Sequence, residues 1–150
     1  MIVKASTIAI AAALCGALLA FPARSCDPAA RVFFVHPFHK STVVSPFRVV
    51  FGSEIVEVKA IPAGTQGSNT GHYDLLINQP GGVPVGEVIG KDKQHLRFDG
   101  GESEAKLDLP PGHYTLTLQF ADGENQSHGT AMSASIDVTV LDHFPGHVGD

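Results

Sequence analysis

The sequence predicts an all-β fold, an immunoglobulin-like antiparallel β-sandwich of seven or eight strands. Three observations predict it. Apolar residues recur with period two in Tyr73-Asp74-Leu75-Leu76-Ile77, in Tyr114-Thr115-Leu116-Thr117-Leu118 and from Met132 to Val140. Turn residues interrupt these runs about every ten positions. No stretch of the chain after the first 25 residues shows the 3.6-residue period that a crossover helix needs, so two packed sheets with antiparallel pairing are the natural solution.

Residues 1–25 read as a signal peptide. Lys4 supplies a positive start, Ile8 to Leu19 is an apolar run, and Pro22 precedes Ala23-Arg24-Ser25, which carries small residues where a signal peptidase reads. The apolar run is shorter than the roughly 20 residues that span a bilayer, and no later segment is apolar enough to cross. The expected address is therefore periplasmic or secreted, with no transmembrane segment after cleavage. Cys15 lies in the signal, so Cys26 is the single cysteine left and cannot form an internal disulfide. A lipid anchor through Cys26 is the minor alternative, because Arg24 stands where a lipoprotein signal wants a small residue.

The remaining chain, 26–141, reads as a single β-sandwich domain, followed by a C-terminal tail over 142–150. Arg31 to Val35 is a short apolar run. Phe47, Val49 and Phe51 alternate with Arg48 and Val50, and Val56 and Val58 alternate with Glu57 and Lys59 within Ile55 to Ala60. Pro62 to Thr70 is a turn-rich loop, and Gln79 to Gly90, with two prolines and four glycines, is another. Between them His72 to Asn78 forms a strand. Gln94 to Phe98 and Ala105 to Leu109 are short strands separated by Asp99-Gly100-Gly101. His113 to Phe120 and Met132 to Val140 are the two most regular strands. Gly112-His113-Tyr114 also resembles the tyrosine corner of immunoglobulin-like domains.

Charge and motifs narrow the function. Removing the first 25 residues takes away two of the ten basic residues and none of the fifteen acidic ones, which leaves a formal charge of −7. That balance argues against nucleic acid or an anionic membrane surface as partner. The chain has no Gly-x-Ser-x-Gly elbow, P-loop or dinucleotide fingerprint. Glu102 and Glu104 fall in a solvated turn, and Cys26 has no evident activating partner. A non-catalytic binding domain is expected rather than an enzyme.

Eight histidines make a transition metal the leading candidate ligand, with copper or zinc the ions that imidazole and carboxylate suit. His72 and Asp74 are two apart on a strand and share a face. His113 begins another strand, and His128 lies in the loop after it. The expected metal site is thus His72, Asp74, His113 and His128, set on the polar outer face of the sandwich. No His-x-His or His-Glu-x-x-His spacing reinforces it, and strand-capping histidines without a metal are the simpler alternative. His36, His39 and His95 read as surface residues, and His143 and His147 as part of a solvated tail. The competing function is a structural or interaction domain that recognises an envelope protein without any metal.

Several short motifs in order also carry a family resemblance. They are Ser45-Pro46-Phe47 with Phe51-Gly52, Pro62-Ala63-Gly64, Asn69-Thr70-Gly71-His72, Leu75-Leu76-Ile77, His95-Leu96-Arg97-Phe98, Leu109-Pro110-Pro111-Gly112-His113 and Thr115-Leu116. Through them the chain resembles a bacterial secreted family catalogued as domain of unknown function 4399, over about residues 31–141. The resemblance implies a small periplasmic or anchored β-domain and brings no activity with it. Members of that family commonly place two or three consecutive histidines after the glycine that corresponds to Gly71, where this chain has His72-Tyr73-Asp74. They also tend to carry a histidine pair after the next-to-last strand, where this chain has Asn125 and His128.

Overall fold

A computed structural model describes residues 29–65 and 69–144. The expected signal peptide, Cys26 and His147 lie outside the described residues. Among the described residues nine strands follow one another: β1 (Arg31–His36), β2 (Ser41–Val44), β3 (Phe47–Glu54), β4 (Glu57–Val58), β5 (Thr70–Ile77), β6 (His95–Phe98), β7 (Glu104–Leu107), β8 (Gly112–Ala121) and β9 (Ser133–Leu141). One three-residue 3-10 turn, Thr130–Met132, precedes β9. Among the described residues no helix is long and apolar enough to cross a membrane.

The strands form the two layers that the alternation predicts. One sheet has the order β1-β3-β7. The other has the order β2-β9-β8-β5-β4, with β6 also paired to β5. Between them lies a core that includes Val49, Phe51, Tyr73, Leu75, Leu116, Leu118, Phe120 and Val138. The middle of an antibody domain is filled by a tryptophan against a disulfide. Here Phe51 fills it, 5.4 Å from the Tyr73 ring and 5.2 Å from that of Phe98 between centroids. The Tyr114 hydroxyl donates to the Pro110 carbonyl at 2.9 Å, which closes the expected corner at the start of β8.

The pairing departs from the expectation in three places. Two pairs are parallel: β2 with β9, Ser41 opposite Val138, and the short β4 with β5. The first strand of the sandwich is thereby divided, β1 in one sheet and β2 in the other. The strand expected over Ile55 to Ala60 reduces to Glu57–Val58, because Ile55 takes a φ of 68° and breaks the extended run.

The third departure matters most for function. The loop over Gln79 to Gly90 is not a solvated excursion. It lies as a strap over the outer face of the larger sheet, where Val83 and Ile89 pack with Leu76 and Ala121 in a second small core. Hydrogen bonds hold it down. The Val83 N–H donates to Gln119 Oε1 at 2.9 Å, and Ser127 Oγ donates to the Val83 carbonyl at 2.7 Å. Gly82, at φ 72°, lies so close that a Cβ there would come 2.6 Å from Gln119 Oε1 and from Ser133 Oγ. Every residue of β5 after Thr70 is buried: Tyr73, Leu75 and Ile77 by the core, Leu76 by the strap, and His72 beside Ile61, Ala63, Gly123 and Asn125. Alternation along a strand reports which face a side chain takes and says nothing of what covers that face.

Candidate functional site

The site grows from the first turn of β5. Gly71 permits a close approach of β5 to β8: a Cβ there would lie 2.2 Å from the Ala121 carbonyl oxygen. Next along the strand, His72 and Asp74 project from the face away from the core, side by side as the period-two spacing requires. They are not surface residues. His72 is 1% exposed and Asp74 is 0% exposed. Arg97 on β6 stands opposite Asp74 in the register. Its Nε donates to Asp74 Oδ1 at 3.2 Å, and its Nη2 donates to the Ile89 carbonyl, so one guanidinium ties the carboxylate to the strap.

Three buried polar atoms are left without hydrogen-bond partners: His72 Nδ1, His72 Nε2 and Asp74 Oδ2. Nε2 and Oδ2 approach to 3.2 Å without the alignment of a hydrogen bond. Such atoms are unusual, since a buried unpaired donor or acceptor costs about 1–3 kcal/mol. The histidine borders a cleft of about 200 Å³, walled by Ile61, Ala63, Arg97, Asp99, Gly123 and Asn125. The Asp122 carboxylate shapes the far rim by accepting from the Glu124 and Gln126 N–H groups.

The gap between His72 Nε2 and Asp74 Oδ2 has a chemical meaning. Two ligands bonded at about 2.0–2.1 Å to one tetrahedral zinc lie roughly 3.3–3.4 Å apart. The pair can therefore grip one ion with little movement, and Arg97 on the other carboxylate oxygen would orient the ligand as an outer-shell partner.

The four residues expected as one metal site do not come together, and that expectation needs correction. Among the described residues no three or more His, Cys, Asp or Glu side chains form a metal-holding group. His113 is at the far end of β8, eight positions from Ala121, the partner of His72. At about 3.3 Å per residue that is roughly 26 Å away. There it is exposed and its Nδ1 meets Thr139 Oγ1 at 3.0 Å. His128 follows β8 and packs edge-on against Phe120, centroids 4.9 Å apart. Phe120 points into the core, so His128 is on the opposite side of the sheet from His72.

Two other histidines are less free than their sequence context indicates. His39 Nδ1 accepts the Asp137 N–H at 3.1 Å. His95 Nδ1 faces Asp92 and its Nε2 faces Gln79, both at 2.9 Å, which fastens the two ends of the strap. Hydrogen bonds from the Gln94 N–H first, and from the His95 N–H and ring, hold the Asp92 carboxyl below the usual carboxylate range. His36 and His143 are exposed as expected.

Sequence reasoning missed Arg97, Asp99 and Asn125 as site residues. One signal could have found Arg97: Asp74 is a charge inside an otherwise apolar strand, and a buried carboxylate requires a cation.

Comparison with known proteins comes to one positive finding. The family model described as a domain of unknown function (DUF4399) matches residues 49–141 of the 150, well over half of the chain. No curated protein and no solved structure matches it.

Proposed function

We propose that this chain, which belongs to the family of domain of unknown function 4399, is a non-catalytic binding domain of the cell envelope, periplasmic or secreted, that holds a copper or zinc ion between His72 and Asp74. The single observation that carries this reading is the trio of buried atoms without a hydrogen-bond partner, His72 Nδ1, His72 Nε2 and Asp74 Oδ2. Such atoms call for an explanation, and a bound ion is one that also suits their spacing. The 3.2 Å between Nε2 and Oδ2 suits two ligands of one ion. A binding role is favoured over catalysis because, among the described residues, the cleft wall carries no serine, threonine or cysteine to act as nucleophile beside the imidazole.

The competing reading, an envelope interaction domain without a metal, has one observation in its favour. Val85 and Val88 project from the strap 77% and 67% exposed, which is how an apolar contact patch begins.

Titration calorimetry of the untagged, chelator-treated protein with copper and zinc tests the choice. One equivalent should bind, and the melting temperature should rise by mass action, since the ion finds its two ligands together only in the fold. His72→Ala should abolish both effects, while His113→Ala should leave both intact. If nothing binds more tightly than about millimolar, near 4 kcal/mol, the metal reading falls and the interaction domain replaces it.

A further inference from the structure

We infer that two copies of this chain pair through the free edge of β7, so that the three-stranded sheet of each copy joins the other into one continuous sheet about a twofold axis at Ala105. This surface belongs to the smaller sheet and does not depend on the metal reading of His72 and Asp74.

Strand β7 ends the order β1-β3-β7, and among the described residues β3 is its one strand partner. Antiparallel strands exchange hydrogen bonds at alternate residue pairs. The Phe51 N–H donates to the Ser103 carbonyl at 2.8 Å. In the same register Val49 with Ala105, and Phe47 with Leu107, are then the bonded pairs. The N–H and C=O groups of Glu104 and Lys106 therefore point the other way, out of the sheet. They have no hydrogen-bond partner among the described residues. Such an edge is a template for another strand.

Charge decides which strand fits. The Glu104 and Lys106 side chains are exposed on the outer face, while Ala105 and Leu107 turn toward the core. A second copy can match its own outward backbone groups to this edge, antiparallel, in three ways. Glu104 opposite Glu104 of the copy, or Lys106 opposite Lys106 of the copy, sets like charges across the interface and is unfavourable. Glu104 opposite Lys106 sets opposite charges, and the twofold axis repeats the pair. In that register each such pair exchanges both of its backbone hydrogen bonds. Ala105 meets its own copy at the axis, in a non-bonded pair with Cα atoms about 4.5 Å apart, where only two methyl groups must fit. At the next outward position Glu102 would face Asp108, both acidic, so the pairing ends with the strand.

Lys106 supplies a second observation. Arg48 on β3 stands directly opposite it, in a non-bonded pair, where side chains come closest. Two cations placed so repel each other. Glu104 answers Arg48 with an ion pair, and Lys106 has no ion-pair or hydrogen-bond partner among the described residues. Glu104 of the copy brings that ammonium its carboxylate. Charges on an edge strand ordinarily ward off other strands. Here they reject two of the three self-pairings and favour the third.

Sedimentation equilibrium of the purified protein should show monomer and dimer, with a dissociation constant between about 1 μM and 1 mM, and no larger species, because a twofold contact closes on itself. Amide exchange reads the edge in the unaltered chain. The Glu104 and Lys106 N–H groups should exchange more slowly as the concentration rises through that range, and the Glu102 N–H should not. Lys106→Glu should weaken association by roughly ten- to a hundredfold, because both symmetry-related pairs become repulsive. Glu104→Lys should do the same, and the two variants mixed should form a heterodimer, since each then meets the opposite charge. A protein that stays monomeric up to about 1 mM overturns the inference. So does a dimer that leaves the Glu104 and Lys106 amides unprotected, or one indifferent to both charge reversals, or two folded variants that do not associate with each other.

Discussion

Replacing His72 by leucine should leave the metal-free protein as stable as it was, or more stable. The two ring nitrogens are both buried and neither has a hydrogen-bond partner. Each such atom costs about 1–3 kcal/mol relative to water. Leucine removes both penalties and sets an apolar side chain beside Ile61 and Ala63. Reshaping the packing costs back about 1–3 kcal/mol. Asp74 keeps its bond to Arg97, while its Oδ2 loses the His72 Nε2 that stands 3.2 Å away, which offsets part of the gain. The balance spans a loss of about 1 to a gain of about 5 kcal/mol and centres on a gain of about 2 kcal/mol. Urea unfolding in the presence of a chelator measures it, with an unchanged slope as the check that the same surface is exposed in both proteins. Added copper or zinc should then reverse the order, because only the histidine protein gains binding free energy. A His72→Leu protein destabilised by more than about 2 kcal/mol without metal would refute the reasoning, since it would mean that His72 is a satisfied structural residue.

Two further outcomes follow from neighbouring groups. Arg97→Ala should destabilise by about 3–5 kcal/mol, because it strands the Asp74 carboxylate, 0% exposed, without its cation; Asp74→Asn in the same background should recover much of that loss in urea unfolding. The Asp92 carboxyl, depressed by the Gln94 N–H before its other bonds, contributes stability at pH values above its unfolded value of about 3.9 and loses it as the pH falls through the lower folded value; amide exchange of the strap followed by NMR should therefore show no change attributable to Asp92 between pH 7 and about 5 and opening only below about 4, an opening that Asp92→Asn moves to neutral pH.

The sequence by itself determined the sandwich. Period two in β3, β5, β8 and β9 assigned Val49, Leu75, Leu116 and Val138 to the interior, and all four are buried there. The tyrosine at the start of β8 marked its corner, and the placing of His72 and Asp74 on one face followed from strand geometry alone. Strand β2 escaped notice because four residues carry too little pattern, and its partner β9 lies almost a hundred positions away in the chain. Thr117 falls on the face opposite Leu116 in the alternation, yet it too is buried and its hydroxyl pairs with Ser135 at 2.7 Å. The same blindness hid the site. Alternation distinguishes two faces of a strand, but distant segments decide that the polar face of β5 is dry: the strap from Gln79 to Gly90 over Leu76, held by Gln119, Ser127 and Arg97, and Ile61, Ala63, Gly123 and Asn125 around His72. Register along β8 decides the rest: it sends His113 to the far end of the sheet and leaves His72 with Asp74, Arg97 and the cleft. Burial and distance are properties of packed neighbours, so only the tertiary structure could turn a pair of polar residues two apart into a candidate binding site.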